Sequence, residues 1–167
     1  MFRSASSEQD IDDIVSLGRE IWTQHYVPII GAEQVDYMLR TFHSKDVILR
    51  QIGHENYLYF IIADHGQAVG YIGVQPQGET LFLSKLYILS AERGKGIGRL
   101  AMNYVCDVGR QLGLSLIHLT VNRENRATIA AYEKIGFVKT GEIKADIGSG
   151  YVMDDYKMEL ALEKPEH

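Results

Sequence analysis

Apolar residues along this chain follow a helical rhythm at first and a strand rhythm later. Ile11, Ile14, Val15, Ile21 and Trp22 fall at roughly helical spacing behind Ser6-x-x-Gln9, a pair that resembles a capping box. The helix so predicted fades near Tyr26 to Pro28. Val35, Met38, Leu39 and Phe42 recur at i, i+3, i+4 and i+7, which predicts a second helix over Ala32 to Phe42. Residues 44–52 add a short helical turn. The texture then changes. Tyr57 to Ala63 is aromatic and β-branched, Asp64-His65-Gly66-Gln67 supplies turn residues, and Ala68 to Val74 resumes the strand, so the stretch reads as a hairpin.

A turn over Gln75 to Gly78 leads into a third strand, Leu81 to Leu89. Gly94 to Gly98 opens a helix to about Leu112, with Leu100, Ala101, Tyr104, Val105 and Val108 inward and Gly113 as its stop. Leu114 to Val121 is a strand, Asn125 to Ile135 a helix closed by Gly136, and Phe137 to Ile143 and Tyr151 to Leu160 are strands. Helices, an antiparallel meander, a strand-loop-helix-strand unit, a helix and a final hairpin predict α/β layers on a mixed sheet.

Composition narrows the picture. The 167 residues suit one domain with a substantial core, and 46% hydrophobic with 23% charged residues is ordinary for a globular chain. A formal charge of -5 lacks the basic footprint of unspecific nucleic-acid binding. The single cysteine, Cys106, sits in an apolar-periodic stretch beside Val105 and Val108 and reads as a packed helix residue. Met1-Phe2-Arg3-Ser4 has no signal-peptide core and no run approaches a membrane span, so a cytoplasmic location away from membranes is expected.

The chemistry concentrates at Leu86-Tyr87-Ile88-Leu89-Ser90-Ala91-Glu92-Arg93-Gly94-Lys95-Gly96-Ile97-Gly98-Arg99. A strand ends, a glycine-rich loop turns, and a helix begins. A helix start leaves about four backbone N–H groups unpaired at the positive end of its dipole, where phosphate binds readily. Glycine keeps side chains away from those N–H groups, and Arg93, Lys95 and Arg99 add positive charge. Spacing excludes a Walker A loop and a dinucleotide fingerprint.

Arg93-x-x-Gly96-x-Gly98 resembles the acetyl-CoA pyrophosphate motif [Q/R]-x-x-G-x-[G/A] of the GNAT superfamily of N-acetyltransferases. The run from Asn122 to Phe137, with Ala127, Tyr132, Lys134 and Gly136, is similar to the family's second signature. The likeness is specific from about Leu81 to Leu160. The stretches Ile21 to Gly31 and Gly148 to Tyr156 look closest to the bacterial spermidine/polyamine branch. The resemblance implies one acetyltransferase domain over residues 1–167. Within it, residues 1–52 would be a helical acceptor-side region, 57–89 a meander, 90–136 the acetyl-CoA core and 137–162 a terminal hairpin. A mixed, mostly antiparallel sheet of six to seven strands with about four helices is expected.

The same likeness implies roles. The backbone of Tyr87, Ile88 and Leu89 would run beside pantetheine, with the Leu89 N–H polarising the thioester carbonyl. Arg93, Gly94, Lys95, Gly96, Ile97 and Gly98 would hold the pyrophosphate. Asn125, also a good N-cap, would bond pantetheine, and Lys134 would reach a nucleotide phosphate. Tyr132 would protonate the departing CoA thiolate. No general base is legible; His118 alternates away from Ile117 and Leu119 but is more simply structural. Acetyl-CoA is the co-substrate and no metal is implied.

Trp22, Tyr26, Glu33 and Asp155 are the acceptor-side candidates, since aromatics and carboxylates together suit a cation. A small amine such as a polyamine is the expected partner, attacking directly in a ternary complex; a homodimer is admitted, nucleic acid is not. Two other readings stand beside it: acetylation of a protein N-terminus or lysine, and a non-catalytic acyl-CoA-binding regulatory module.

Overall fold

In the computed structural model, which describes residues 1–163, the first helix, α1 (Glu8–Ile30), is capped by Ser7 rather than by Ser6. The Asp10 N–H donates to the Ser7 hydroxyl at 3.1 Å, and the Ser7 N–H donates to the Asp10 carboxylate at 3.3 Å. The box is therefore shifted by one residue, because aspartate at the third helical position reaches back as glutamine would. Burial alone would raise the Asp10 carboxyl, but the Ser6 N–H, Arg3 and Ser7 together bring it down to about 2. Pro28 does not end the helix. Near the terminus it removes only one helical donor, and the Gly31 N–H still closes on the Val27 carbonyl at 2.9 Å.

Gly31, with φ 89° and ψ 155°, ends α1 and caps α2 (Ala32–Phe42), whose bounds match the periodicity. Val35, Met38 and Leu39 are buried, whereas Phe42 is partly exposed, so the apolar stripe stops a turn early. The predicted turn at 44–52 is a full helix, α3 (Lys45–His54), capped by the Ser44 hydroxyl on the Val47 N–H. One strand escaped the pattern: β1 (Phe2–Ser4) is too short to show alternation, yet it pairs antiparallel with β2 (Leu58–Asp64).

The backbone gathers into two compact units. The first holds residues 1–76 and 83–105. Here β2 and β3 (Gln67–Gln77) form the predicted hairpin, with Asp64 opposite Gln67. His65 at φ 51° and Gly66 at φ 77° make the two-residue turn whose twist matches antiparallel strands. Next to β3 lies β4 (Thr80–Ile88), and the core gathers Ile14, Ile21, Ile48, Ile61, Tyr71 and Ile72.

The second unit holds residues 77–82 and, of the described residues, 106–163. Its strand β5 (Leu116–Asn122) pairs parallel with the start of β4 over Thr80–Phe82, then antiparallel with β7 (Tyr151–Ala161). β7 pairs antiparallel with β6 (Val138–Gly148), which runs five residues past the predicted end because the hairpin keeps pairing through two bulges. Helices α4 (Ile97–Gln111) and α5 (Arg126–Ile135) complete the set. Leu100 departs from expectation: it is exposed, while Ala101, Met102, Val105, Cys106 and Val108 are buried. The strand order β1-β2-β3-β4-β5-β7-β6 is the mixed, mostly antiparallel sheet predicted, with seven strands and one more helix than expected.

Candidate active site

After β4 the chain makes a 3₁₀ turn over Ser90–Glu92 and enters α4 through the glycine loop. Gly94 has φ 81° and Gly96 φ 79°, a left-handed conformation that other residues adopt only with strain. No atom lies within 4 Å of where a Cβ would stand on either glycine, so the loop surface is open. The first helical bond runs from the Leu100 N–H to the Gly96 carbonyl at 3.2 Å. The amides of Ile97, Gly98 and Arg99 therefore lack a helical acceptor and suit an anion. Lys95 is committed elsewhere: its ammonium donates to Glu92 at 2.7 Å, leaving the arginines as the loop's other positive charges.

One implied role does not survive. The Leu89 N–H, expected to polarise a thioester carbonyl, donates to the Val69 carbonyl at 2.9 Å. It completes a backbone pairing instead, and an already bonded amide is a poor oxyanion donor.

Trp22, Tyr26 and Tyr87 come together in the first unit. The Trp22 ring lies 5.5 Å from Tyr87 and 6.1 Å from Tyr26, and the Tyr26 and Tyr87 hydroxyls share a hydrogen bond at 3.2 Å. Glu33 is exposed on the first turn of α2. Behind the aromatics lies a chain that sequence reading missed. The Lys85 amine, 7% exposed, donates to Tyr59 Oη at 2.8 Å and sits 3.0 Å from His43 Nδ1. Tyr59 passes its proton to Gln51 Oε1 at 2.6 Å. His43 Nε2 lies 3.3 Å from the Ile14 carbonyl, which can only accept, so Nε2 carries the proton and Nδ1 receives one from Lys85. The signal available was the one charged residue in the largely apolar run Leu81 to Leu89.

The His43 ring is stacked between Trp22 at 5.0 Å and Tyr71 at 5.3 Å. A Cβ on Gly18 would lie 2.1 Å from His43 Nε2, so α1 needs a glycine where the imidazole meets it. Burial, then the Lys85 charge, holds His43 down to about 3, and burial brings Lys85 down to about 7. Tyr71 is driven well above the usual phenol range by burial, which its contact with Trp22 only partly offsets.

From pH 7 to 9 an unfolded lysine keeps a proton that folded Lys85 sheds. Stability should therefore rise with pH by up to about 1.4 kcal/mol per unit over that window, and the full penalty of the buried charge applies below it. Lys85→Met is expected to flatten this slope. Urea unfolding of both proteins at pH 7, 8 and 9 checks it, and parallel slopes would contradict the linkage.

In the second unit, Asn125 stands at the N-cap of α5 and is buried, but its side chain makes no capping bond; the backbone closes the turn by donating to Asn122 at 2.9 Å. Tyr132 is half-buried on α5 with its ring 5.4 Å from Phe137, and Lys134 is exposed in the last turn. Asp155, opposite Asn122 on β7, is buried with Oδ1 lacking a partner among the described residues. Burial, then repulsion from Asp154, raises its carboxyl to about 6. His118 rests tilted on Phe82 at 5.1 Å, its pKa lowered mainly by burial. Cys106 is buried, with its thiol pushed up by burial. Among the described residues no group of three or more His, Cys, Asp or Glu could hold a metal, and no helix is long and apolar enough to cross a membrane.

The profile of the Acetyltransferase (GNAT) family matches residues 18–137. Spermidine N(1)-acetyltransferase of Thermoplasma acidophilum is 22% identical over 152 residues, 89% of this chain and 92% of that protein. The crystal structure of the PaiA N-acetyltransferase from Thermoplasma acidophilum, in complex with coenzyme A, superposes with a TM-score of 0.81 at 21% identity, covering 96% of this chain and 98% of that one. The ribosomal-protein-S18-alanine N-acetyltransferase of Escherichia coli gives a TM-score of 0.73 at 17% identity over 99% and 97% of the two chains.

Proposed function

Because the chain belongs to the GNAT family and is an acetyl-CoA-dependent N-acetyltransferase, we propose that its acceptor is a small primary amine of the polyamine class. The observation that carries the cofactor half of this reading is the open glycine loop, with three amides at the mouth of α4 that have no helical acceptor. A diphosphate satisfies such amides, and Arg93 and Arg99 balance its charge. The acceptor half rests on the polyamine substrate named for the Thermoplasma relative and on the Tyr26 and Tyr87 rings, whose faces attract alkylammonium groups, while Trp22, a candidate for the same pocket, is buried against His43 and backs them.

In this scheme Gly94 to Gly98 and Arg93 hold the pyrophosphate. The chain at Tyr87, Ile88 and Leu89 lies along pantetheine, Asn125 bonds it, and Lys134 meets a nucleotide phosphate. The amine, as the free base, attacks the thioester carbon directly, and the tetrahedral adduct collapses by breaking the C–S bond while its nitrogen gives the extra proton to water. Tyr132 gives its phenolic proton to the sulfur and regains one from solvent. Glu33 and Asp155 pair with cationic groups of the acceptor; with a carboxyl near 6, Asp155 is ionised at mildly alkaline pH.

Two measurements test the reading in order. Calorimetry with acetyl-CoA should register binding, and a silent titration would remove the cofactor assignment. Thiol release should then appear with spermidine or spermine in a panel that also holds amino sugars, amino acids and peptides. Binding without polyamine turnover at millimolar concentration would move the acceptor to whichever other amine responds. Binding without turnover of any amine would favour the regulatory module.

A further inference from the structure

A buried positive charge is costly unless an opposite charge answers it. The hydrogen bonds of the buried Lys85 amine supply none, since both its partners, Tyr59 Oη and His43 Nδ1, are uncharged. Burial brings the amine down to about 7, so it changes charge close to neutral pH. What stands in front of it gives that change a use. Lys85 and Tyr87 lie two positions apart on β4, a spacing of about 7 Å that sends alternate side chains to one face. Both reach the same cluster. Tyr87 lies 5.5 Å from Trp22 and 5.6 Å from Tyr71, and those two rings sandwich the His43 to which Lys85 is bonded. Tyr26 and Tyr87, joined by their hydroxyls, are half-buried and form the outer layer. Every one of these residues belongs to the first unit.

We propose that Lys85 is a specificity-determining residue, which opposes a cation at the Tyr26 and Tyr87 rings while it is protonated and admits one once it is neutral. The inference rests on the reading that those rings take an alkylammonium end of the acceptor. The layer between, made of Trp22, Tyr71 and His43, is buried and leaves little water to screen the two charges. For charges about 10 Å apart at an effective dielectric of about 20, the repulsion amounts to about tenfold in affinity. The other titratable groups facing Lys85 hold one charge state from pH 6 to 9. Burial, then the Lys85 charge, keeps His43 at the end of α2 down at about 3. Burial, first among the causes, lifts Tyr59 on β2 and Tyr71 on β3 above the usual phenol range. Tyr57 and Glu55 act on Tyr59 from beyond it, and α1 and α3 contribute the uncharged Trp22 and Gln51. Lys85 is thus the member of this cluster whose charge changes.

Choline carries a quaternary charge that no pH alters, so it separates this effect from titration of an amine substrate. Its affinity for the unaltered protein, measured by calorimetry, should rise about tenfold from pH 6 to 9, while its neutral tert-butyl isostere binds equally throughout. Lys85→Gln keeps a donor toward His43 without the charge, and Lys85→Met removes both; each should lose the rise. Any part of it that comes from another group persists in the variants, so the difference between parent and variant is the measure. Trp22 is the only tryptophan and stacks on His43 at 5.0 Å, which supplies a second readout in the unaltered protein. Its emission should titrate near pH 7, and saturating choline should move the midpoint down by about one unit, because a tenfold coupling acts equally in both directions. Choline binding with the same pH dependence in parent and variants, or an emission midpoint that choline leaves in place, overturns the proposal alone. Absence of choline binding at every pH overturns it together with the cationic reading of the rings.

Discussion

Replacing Tyr132 with phenylalanine is expected to lower kcat about a hundredfold while leaving acetyl-CoA affinity and the fold in place. The substitution removes one oxygen and keeps the ring that packs 5.4 Å from Phe137. It also keeps the turn that ends α5, where the Tyr132 carbonyl accepts from Phe137 and Gly136 at 3.0 and 3.2 Å. Both of these contacts survive the substitution, so stability measured by urea unfolding should move by well under the effect on rate. A thiolate leaving group benefits from a proton delivered as the C–S bond breaks, and positioned acids contribute about 10²–10⁴-fold. The low end is expected because a thiolate also departs unaided. Steady-state kinetics across pH 6 to 10 tests the assignment, with the loss carried by kcat rather than KM. A variant with the parent kcat would mean that Tyr132 only packs.

Gly70→Ala should damage both stability and cofactor use, through a steric contact with the neighbouring strand. A Cβ on Gly70 would stand 2.4 Å from the Tyr87 carbonyl oxygen and 3.2 Å from the Ile88 Cα. These are backbone atoms, so the end of β4 has to shift. Overpacking of this kind costs about 1–3 kcal/mol. The shifted segment is also the stretch assigned to pantetheine, and KM for acetyl-CoA should therefore rise several-fold more than kcat falls. Gly53→Ala is the comparison, since its Cβ on α3 would meet no atom within 4 Å. Equal behaviour of the two alanine variants would separate the end of β4 from cofactor binding.

Much of this was legible in the chain because the informative signals are local. The stripe Val35, Met38 and Leu39 fixed the bounds of α2, since a helix announces itself within two turns. Arg93, Gly96 and Gly98 mark a strand-to-helix loop because backbone conformation there depends on glycine. What stayed hidden depends on distance along the sequence. Lys85, His43, Tyr59 and Gln51 carry no shared spacing, and only the pairing of strands beneath α1 and α3 brings them into one chain of bonds. The Leu89 amide illustrates the same gap: its neighbours in sequence suggest a free donor, and Val69, twenty residues earlier, takes it. The short helical turn expected over 44–52 understates α3, because few of its residues are apolar and its anchor is the polar Ser44 cap.

A single residue, Gly31, separates the first two helices, and its φ of 89° with ψ of 155° belongs to a region that is essentially glycine's alone. The two helices are thus joined by a one-residue elbow rather than a long tether. Each residue of helix turns the following face by about 100°, so one inserted amino acid would swing Val35, Met38 and Leu39 away from the interior they fill. A change at this corner that keeps α2 packed therefore exchanges side chains at constant length.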